Sequence, residues 1–174
     1  MTKKDMFSFR NVKLFENLTD EELTIVDKEL REKDYAANVR VVEEKSIGDE
    51  LFIIKQGKVE ITLTRDESVL VLAELGNYSF FGEMAVLTEK ERSASVTTIE
   101  PSTFFILKRN KLLSLIDSHP RIASQIFKAL AEVLSERIGK TNDNLETYFL
   151  INKAIVDNEQ FRRLYIMSKA SKEK

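Results

Sequence analysis

F-G-E-M-A-V-L-T-E-K-E-R-S-A-S-V-T-T, residues 81–98, is the stretch on which the fold turns. Phe80 and Phe81 lie in or beside a strand. Gly82 lets the backbone turn tightly or approach a ligand closely. E-M-A-V-L is compatible with a helical turn, so the amides after Gly82 form a candidate helix N-terminus. Such an end presents orphan N–H groups and a positive dipole, both suited to a phosphate. Arg92 follows ten residues after Gly82. It is a permanent cation able to fork onto two phosphate oxygens. Ser93 adds a hydroxyl donor. Glu83 is an acceptor, for which a ribose hydroxyl is one natural partner.

Working outward, short β-rich runs occupy about Arg40 to Lys108: V-R-V-V, L-F-I-I-K, K-V-E-I-T-L-T, S-V-L-V-L-A-E-L, S-V-T-T-I and T-F-F-I-L-K. Turn-prone pieces separate them: S-I-G-D-E, K-Q-G-K, R-D-E-S and L-G-N-Y. Many short strands at close spacing predict an antiparallel roll, jelly-roll-like, rather than a parallel sheet. In K-V-E-I-T-L-T the apolar residues Val59, Ile61 and Leu63 alternate, as a strand buried on one face requires. Residues 13–35 read as a helical lead-in. Thr19 and Glu22 have capping-box spacing, and Leu23, Val26 and Leu30 mark one helical face. Downstream, L-L-S-L-I-D predicts a short helix with Asn110 as its cap. Pro120 opens the next helix, where its missing N–H costs nothing. Ile122, Ile126, Leu130, Val133, Leu134, Ile138 and Leu145 then recur at helical spacing along one long amphipathic helix, with Gly139 as the place for a break. Residues 148–167 are apolar enough to pack, and a solvated S-K-A-S-K-E-K tail follows. The fold class is α+β: an antiparallel β-roll flanked by an N-terminal helix and a long C-terminal helix. Residues 1–139 form the expected domain, and 140–174 a helical extension with a flexible end.

The totals narrow the function. The chain has 174 residues and a net charge of −2, with no basic surplus of the kind a nucleic-acid binder shows. It has no cysteines, which removes disulfides and thiolate metal sites and suits a reducing cytoplasm. No apolar run reaches signal-peptide or membrane-span length. The expectation is a soluble cytoplasmic protein that meets neither membrane nor nucleic acid.

Residues 81–98 also resemble the phosphate-binding cassette of the cyclic-nucleotide-binding superfamily. That family includes bacterial catabolite activators, protein kinase A regulatory subunits and cyclic-nucleotide-gated channels. Its pattern is apolar-Gly-Glu-x-small-aliphatic, a short spacer, then Arg-small-Ala-x-aliphatic. Phe81, Gly82, Glu83, Met84, Ala85 and Val86 fill the first block. Arg92, Ser93, Ala94, Ser95 and Val96 fill the second, after five spacer residues. Residues 48–61, with Gly57 turning into the next strand, and L-F-E-N-L-T-D-E-E-L at 14–23 extend the resemblance to roughly Leu14–Ile138. Two positions depart from the pattern. Lys45 and Ser46 stand where a Gly-acidic pair is common, and Glu91 stands where Pro often precedes the Arg.

The resemblance implies a ligand, cAMP in preference to cGMP, and no further cofactor. Phe81, Gly82, Glu83, Met84, Ala85, Arg92, Ser93 and Ala94 form the implied ligand-binding set. Arg92 and Ser93 would bind the exocyclic phosphate with amides around Ala85 and Ala94. Glu83 would accept from the ribose 2′-hydroxyl. Arg137, ahead of Thr141 and Asn142, would cover the base from the long helix. Ligand closure would repack Val86 and Leu87 against the C-terminal helix. About 30 residues follow Lys140, too few for a winged helix-turn-helix domain, so no DNA binding is expected. The helical tail would instead dimerise or dock on a protein partner not yet identified.

Plainer readings apply elsewhere. His119, the single histidine, reads as a helix-start or surface residue rather than a metal ligand. One histidine cannot build the metal centre of a cupin-type enzyme. No Ser-His-Asp set, P-loop or H-E-x-x-H is present, so no catalytic residue is assigned and the chain is not expected to be an enzyme. Phe104 and Phe105 read as strand core. The remaining alternative is a degenerate scaffold with the same fold, no ligand, and protein–protein interaction as its only task.

Overall fold

The computed structural model describes residues 9–66 and 68–157. A 3-10 turn at Lys13–Phe15 precedes helix α1, Asp20–Glu29. Its capping box is complete: Glu22 N–H donates to the Thr19 hydroxyl, and the Thr19 N–H donates to the Glu22 carboxylate. Eight strands follow: β1 Leu30–Tyr35, β2 Arg40–Val42, β3 Glu50–Gln56, β4 Val59–Arg65, β5 Ser68–Leu75, β6 Phe80–Phe81, β7 Ser95–Thr98 and β8 Ser102–Lys108. Helix α2, Glu83–Thr88, interrupts them between β6 and β7. Helices α3, Arg109–Ser118, and α4, Pro120–Asp157, close the described chain.

The strands form two four-stranded antiparallel sheets, ordered β1-β8-β3-β6 and β2-β7-β4-β5. This is the α+β roll expected from the spacing of short strands. Between the sheets lie Val42, Phe52, Ile54, Val59, Phe81, Val96, Phe104 and Ile106. Strand β3 is buried on both faces, because Leu51 and Ile53 turn the other way and are fully covered. On that outer face Phe105 of β8 meets Phe9, with ring centroids 4.8 Å apart.

Four local expectations are corrected. The helical lead-in ends at Glu29, and residues 30–35 form β1 instead, so Leu30 is not on a helical face. L-R-E-K-D-Y has four charged residues because β1 is an edge strand with one neighbour, β8, and an open face. The alternation in β4 breaks at a register shift between Ile61 and Thr62, which buries Thr62 and leaves Leu63 half-exposed. Asn110 lies inside α3 and caps nothing. The N-cap position is Lys108, and the Arg109 N–H is satisfied by the Asp49 carbonyl at 2.8 Å. Helix α4 starts at Pro120 as expected but passes Gly139 without a break.

The chain divides into two units, the first ending at Leu130 and the second starting at Ala131. In the first, Ile122, Ala123, Ile126, Ala129 and Leu130 are core residues. In the second, Ile138, Leu145 and Leu150 are each more than half exposed. The expected packing of residues 158–167 and the tail at 168–174 lie outside the described residues. Among the described residues no helix is long and apolar enough to cross a membrane.

Candidate functional site

The site begins with the ring packing under it. Phe81 ends β6 with its ring stacked on Phe52, centroids 4.9 Å apart, and edge-on to Phe104 at 5.5 Å. These contacts fix the strand immediately before Gly82. Gly82 then adopts φ 85°, a left-handed conformation that favours glycine. A side chain there would also collide: a Cβ would lie 2.6 Å from Arg92 Nη1 and 2.8 Å from the Glu50 carbonyl oxygen. Helix α2 starts on this turn and ends at Glu89, itself left-handed at φ 58°.

Arg92 is the centre of the arrangement. It is only 6% exposed, low for an arginine. Its Nη1 donates to the Gly82 carbonyl at 3.0 Å and its Nη2 to the Glu50 carbonyl at 2.9 Å. Its guanidinium carbon sits 5.9 Å from the Phe52 ring centroid. Gly48 closes the other side: a Cβ there would lie 2.6 Å from Nη2 and 2.7 Å from Nε. The backbone of Arg92 is held as well, its N–H donating to the Ser46 carbonyl while its own carbonyl accepts from Lys45 N–H. Burial pushes the guanidinium pKa down from the ordinary arginine value, and the nearby carboxylates of Glu50, Asp49 and Glu83 oppose that shift. The result is a partly desolvated cation whose bonds to Gly82 and Glu50 go to neutral carbonyl oxygens.

Around it, Glu83 and Ala85 are buried at 5% and 2% exposure, while Met84 and Ser93 are exposed. The Ser93 hydroxyl lies 3.9 Å from the Met84 sulfur. Ala94 is half-buried. Glycine 82, the α2 residues and the Arg92–Ala94 segment thus come together as one local structure around the β6–α2–β7 connection. Beside Arg92 an open cleft of about 420 Å³ is lined by Arg40, Val42, Glu43, Ile47, Gly48 and Phe52 among others. Of the expected ligand-binding residues only Arg92 lines that cleft. Arg137 is half-buried and Thr141 exposed, with the Thr141 hydroxyl bonded to the Arg137 carbonyl at 2.9 Å; both belong to the second unit. His119 lies at the α3–α4 junction, its Nδ1 3.0 Å from the Ser118 hydroxyl.

Sequence reasoning missed the holder of the arginine. Gly48, the Glu50 carbonyl and Phe52 were legible only as strand and turn residues. The available signal was G-D-E at 48–50, a glycine and two carboxylates opening a strand.

The profile of the cyclic nucleotide-binding domain matches residues 32–119. The chain is 30% identical over 133 residues to a CRP-like cAMP-activated global transcriptional regulator of Mycobacterium tuberculosis, covering 76% of this chain and 58% of that protein. It is 32% identical over 124 residues to a cyclic AMP receptor protein of Thermus thermophilus, covering 71% of this chain and 57% of the relative. The solved Thermus thermophilus catabolite activator protein superposes with a TM-score of 0.71 at 28% identity, over 78% of this chain and 62% of that one. The chain therefore spans less than two thirds of the length of these relatives.

Proposed function

The chain belongs to the cyclic-nucleotide-binding domain family, and from that premise we propose that it is a regulatory receptor for a cyclic nucleotide, cAMP in preference to cGMP. The observation that carries this reading is the buried Arg92 cation, seated between two glycines and bonded to neutral carbonyls, directly beside α2. A cyclic phosphodiester, whose single negative charge is shared by its two exocyclic oxygens, offers that guanidinium stronger, charge-assisted bonds than the carbonyls do.

In this reading Arg92 and the Ser93 hydroxyl take the exocyclic phosphate, with the amides around Ala85 and Ala94. Glu83 accepts from the ribose hydroxyl. Phe81, Gly82 and Met84 shape the wall. The preference for cAMP rests on the names of the two relatives, which are a cAMP-activated regulator and a cyclic AMP receptor. The output runs through the C-terminal helix, either to a second copy or to a protein partner. The exposed apolar residues Ile138, Leu145 and Leu150 supply a surface for it.

Thermal melting of ligand-stripped protein tests the reading. A nucleotide at a hundredfold excess over its dissociation constant stabilises a receptor by about 2.7 kcal/mol. The expected result is a raised melting temperature with cAMP that is absent in Arg92→Ala. Identical melting with and without either nucleotide, in wild type, overturns it and leaves the protein-interaction scaffold.

A further inference from the structure

Arg109, the first residue of α3, touches both halves of the Arg92 environment. Its Nε donates to the Val86 carbonyl at 2.9 Å, and its Nη2 pairs with the Glu89 carboxylate at 2.7 Å. Val86 lies in the last turn of α2, where carbonyls have no intrahelical partner. Glu89 is the left-handed residue that ends the same helix. The Arg109 N–H meanwhile donates to the Asp49 carbonyl at 2.8 Å. Asp49 immediately precedes Glu50, whose carbonyl holds Arg92 Nη2. One residue therefore binds the end of α2, its cap, and the start of the strand that seats the arginine.

The exposed ion pair contributes little: the Arg109 side chain is 27% exposed and that of Glu89 is 66% exposed. The partly buried bond to Val86 is the stronger anchor, because a helix-end carbonyl left without a partner away from water is costly. Lysine can replace the ion pair but cannot hold Glu89 and the Val86 carbonyl together in the same fork.

We propose that Arg109 is a positioning residue: it makes α2 and the Arg92 seat move as one body with α3, so that a ligand that shifts the cassette shifts the first helix after the roll. The inference deepens the receptor reading and rests on it only for the identity of that ligand.

Amide hydrogen exchange on the full chain, with and without cAMP, tests this in wild type, Arg109→Ala and Arg109→Lys. Without nucleotide, Arg109→Ala should speed exchange at 83–89 about tenfold while β4 and β8 keep wild-type protection. The nucleotide-induced change across α3 seen in wild type should vanish in Arg109→Ala, and Arg109→Lys should fall between. Wild-type exchange at 83–89 in Arg109→Ala overturns the proposal. So does a uniform loss across the strands, which marks a merely structural role. Selective loosening at 83–89 in a protein that answers to neither cAMP nor cGMP supports the coupling and sinks the receptor reading.

Discussion

Arg92 concentrates the chemistry, and its neighbours predict how it fails. Each charge-assisted bond to a phosphate contributes on the order of 1.5–3 kcal/mol. Removing two by Arg92→Ala should weaken nucleotide binding about a hundredfold or more, since 1.4 kcal/mol is tenfold. Arg92→Lys should fall between, because a point charge cannot copy the fork. Titration calorimetry of both variants checks this. Gly48→Ala places a methyl against Nη2 and Nε and should act only through the arginine. It should cost about tenfold in affinity alone and nothing further when combined with Arg92→Ala, the non-additivity expected of side chains in contact. A full additional loss in the double variant would contradict the slot. The sequence made Arg92 and Glu83 legible because side-chain type and spacing carry them. It left the slot illegible because the bonds that seat Arg92 come from backbone carbonyls of Gly82 and Glu50, which every residue type possesses.

At the scale of elements, the capping box on α1 does double duty. The Glu22 carboxylate accepts from Thr19 N–H and also pairs with Arg121 at the start of α4. The Arg121 guanidinium is the largest cause holding the Glu22 pKa below its ordinary value, with Thr19 adding to it and burial opposing. A depressed carboxylate stabilises the fold above its unfolded pKa, about 4.3 for glutamate. That contribution is lost as pH falls through the lower folded value. Glu22→Gln should therefore reduce the melting temperature at pH 7 and flatten its fall on acidification through and below the ordinary glutamate range. A parallel curve for the variant would contradict the pair. Phe81→Ala should cost about 3–5 kcal/mol, because it opens a cavity between Phe52 and Phe104 directly under the Gly82 turn. Denaturant unfolding measures it. The α1 cap was legible because it is local. Strand β1 was not: its hydrogen bonds come from β8, about 70 residues away, and its charged sequence reports only the open face.

For the whole molecule, a roll that seats an arginine and a helix that carries exposed apolar residues are joined in one chain. The roll was legible from the close spacing of short β-rich runs, but the pairing was not: among the described strands only β4 and β5 are both neighbours in a sheet and consecutive in the chain. What lies against the helix was not, because an apolar stripe looks alike in a core and at an interface. Leu145 is 61% exposed, so a dimer built on this helix predicts that Leu145→Asp dissociates it while leaving the melting of the roll within about 0.5 kcal/mol of wild type. Sedimentation that shows wild type and variant alike would remove the helix as the contact.

The receptor claim itself is tested most directly by titrating cAMP and cGMP into carefully ligand-stripped wild-type protein in a calorimeter. Saturable one-site heat with cAMP, tighter than with cGMP, is the predicted result. No heat from either nucleotide, in protein whose roll is folded, would contradict the account.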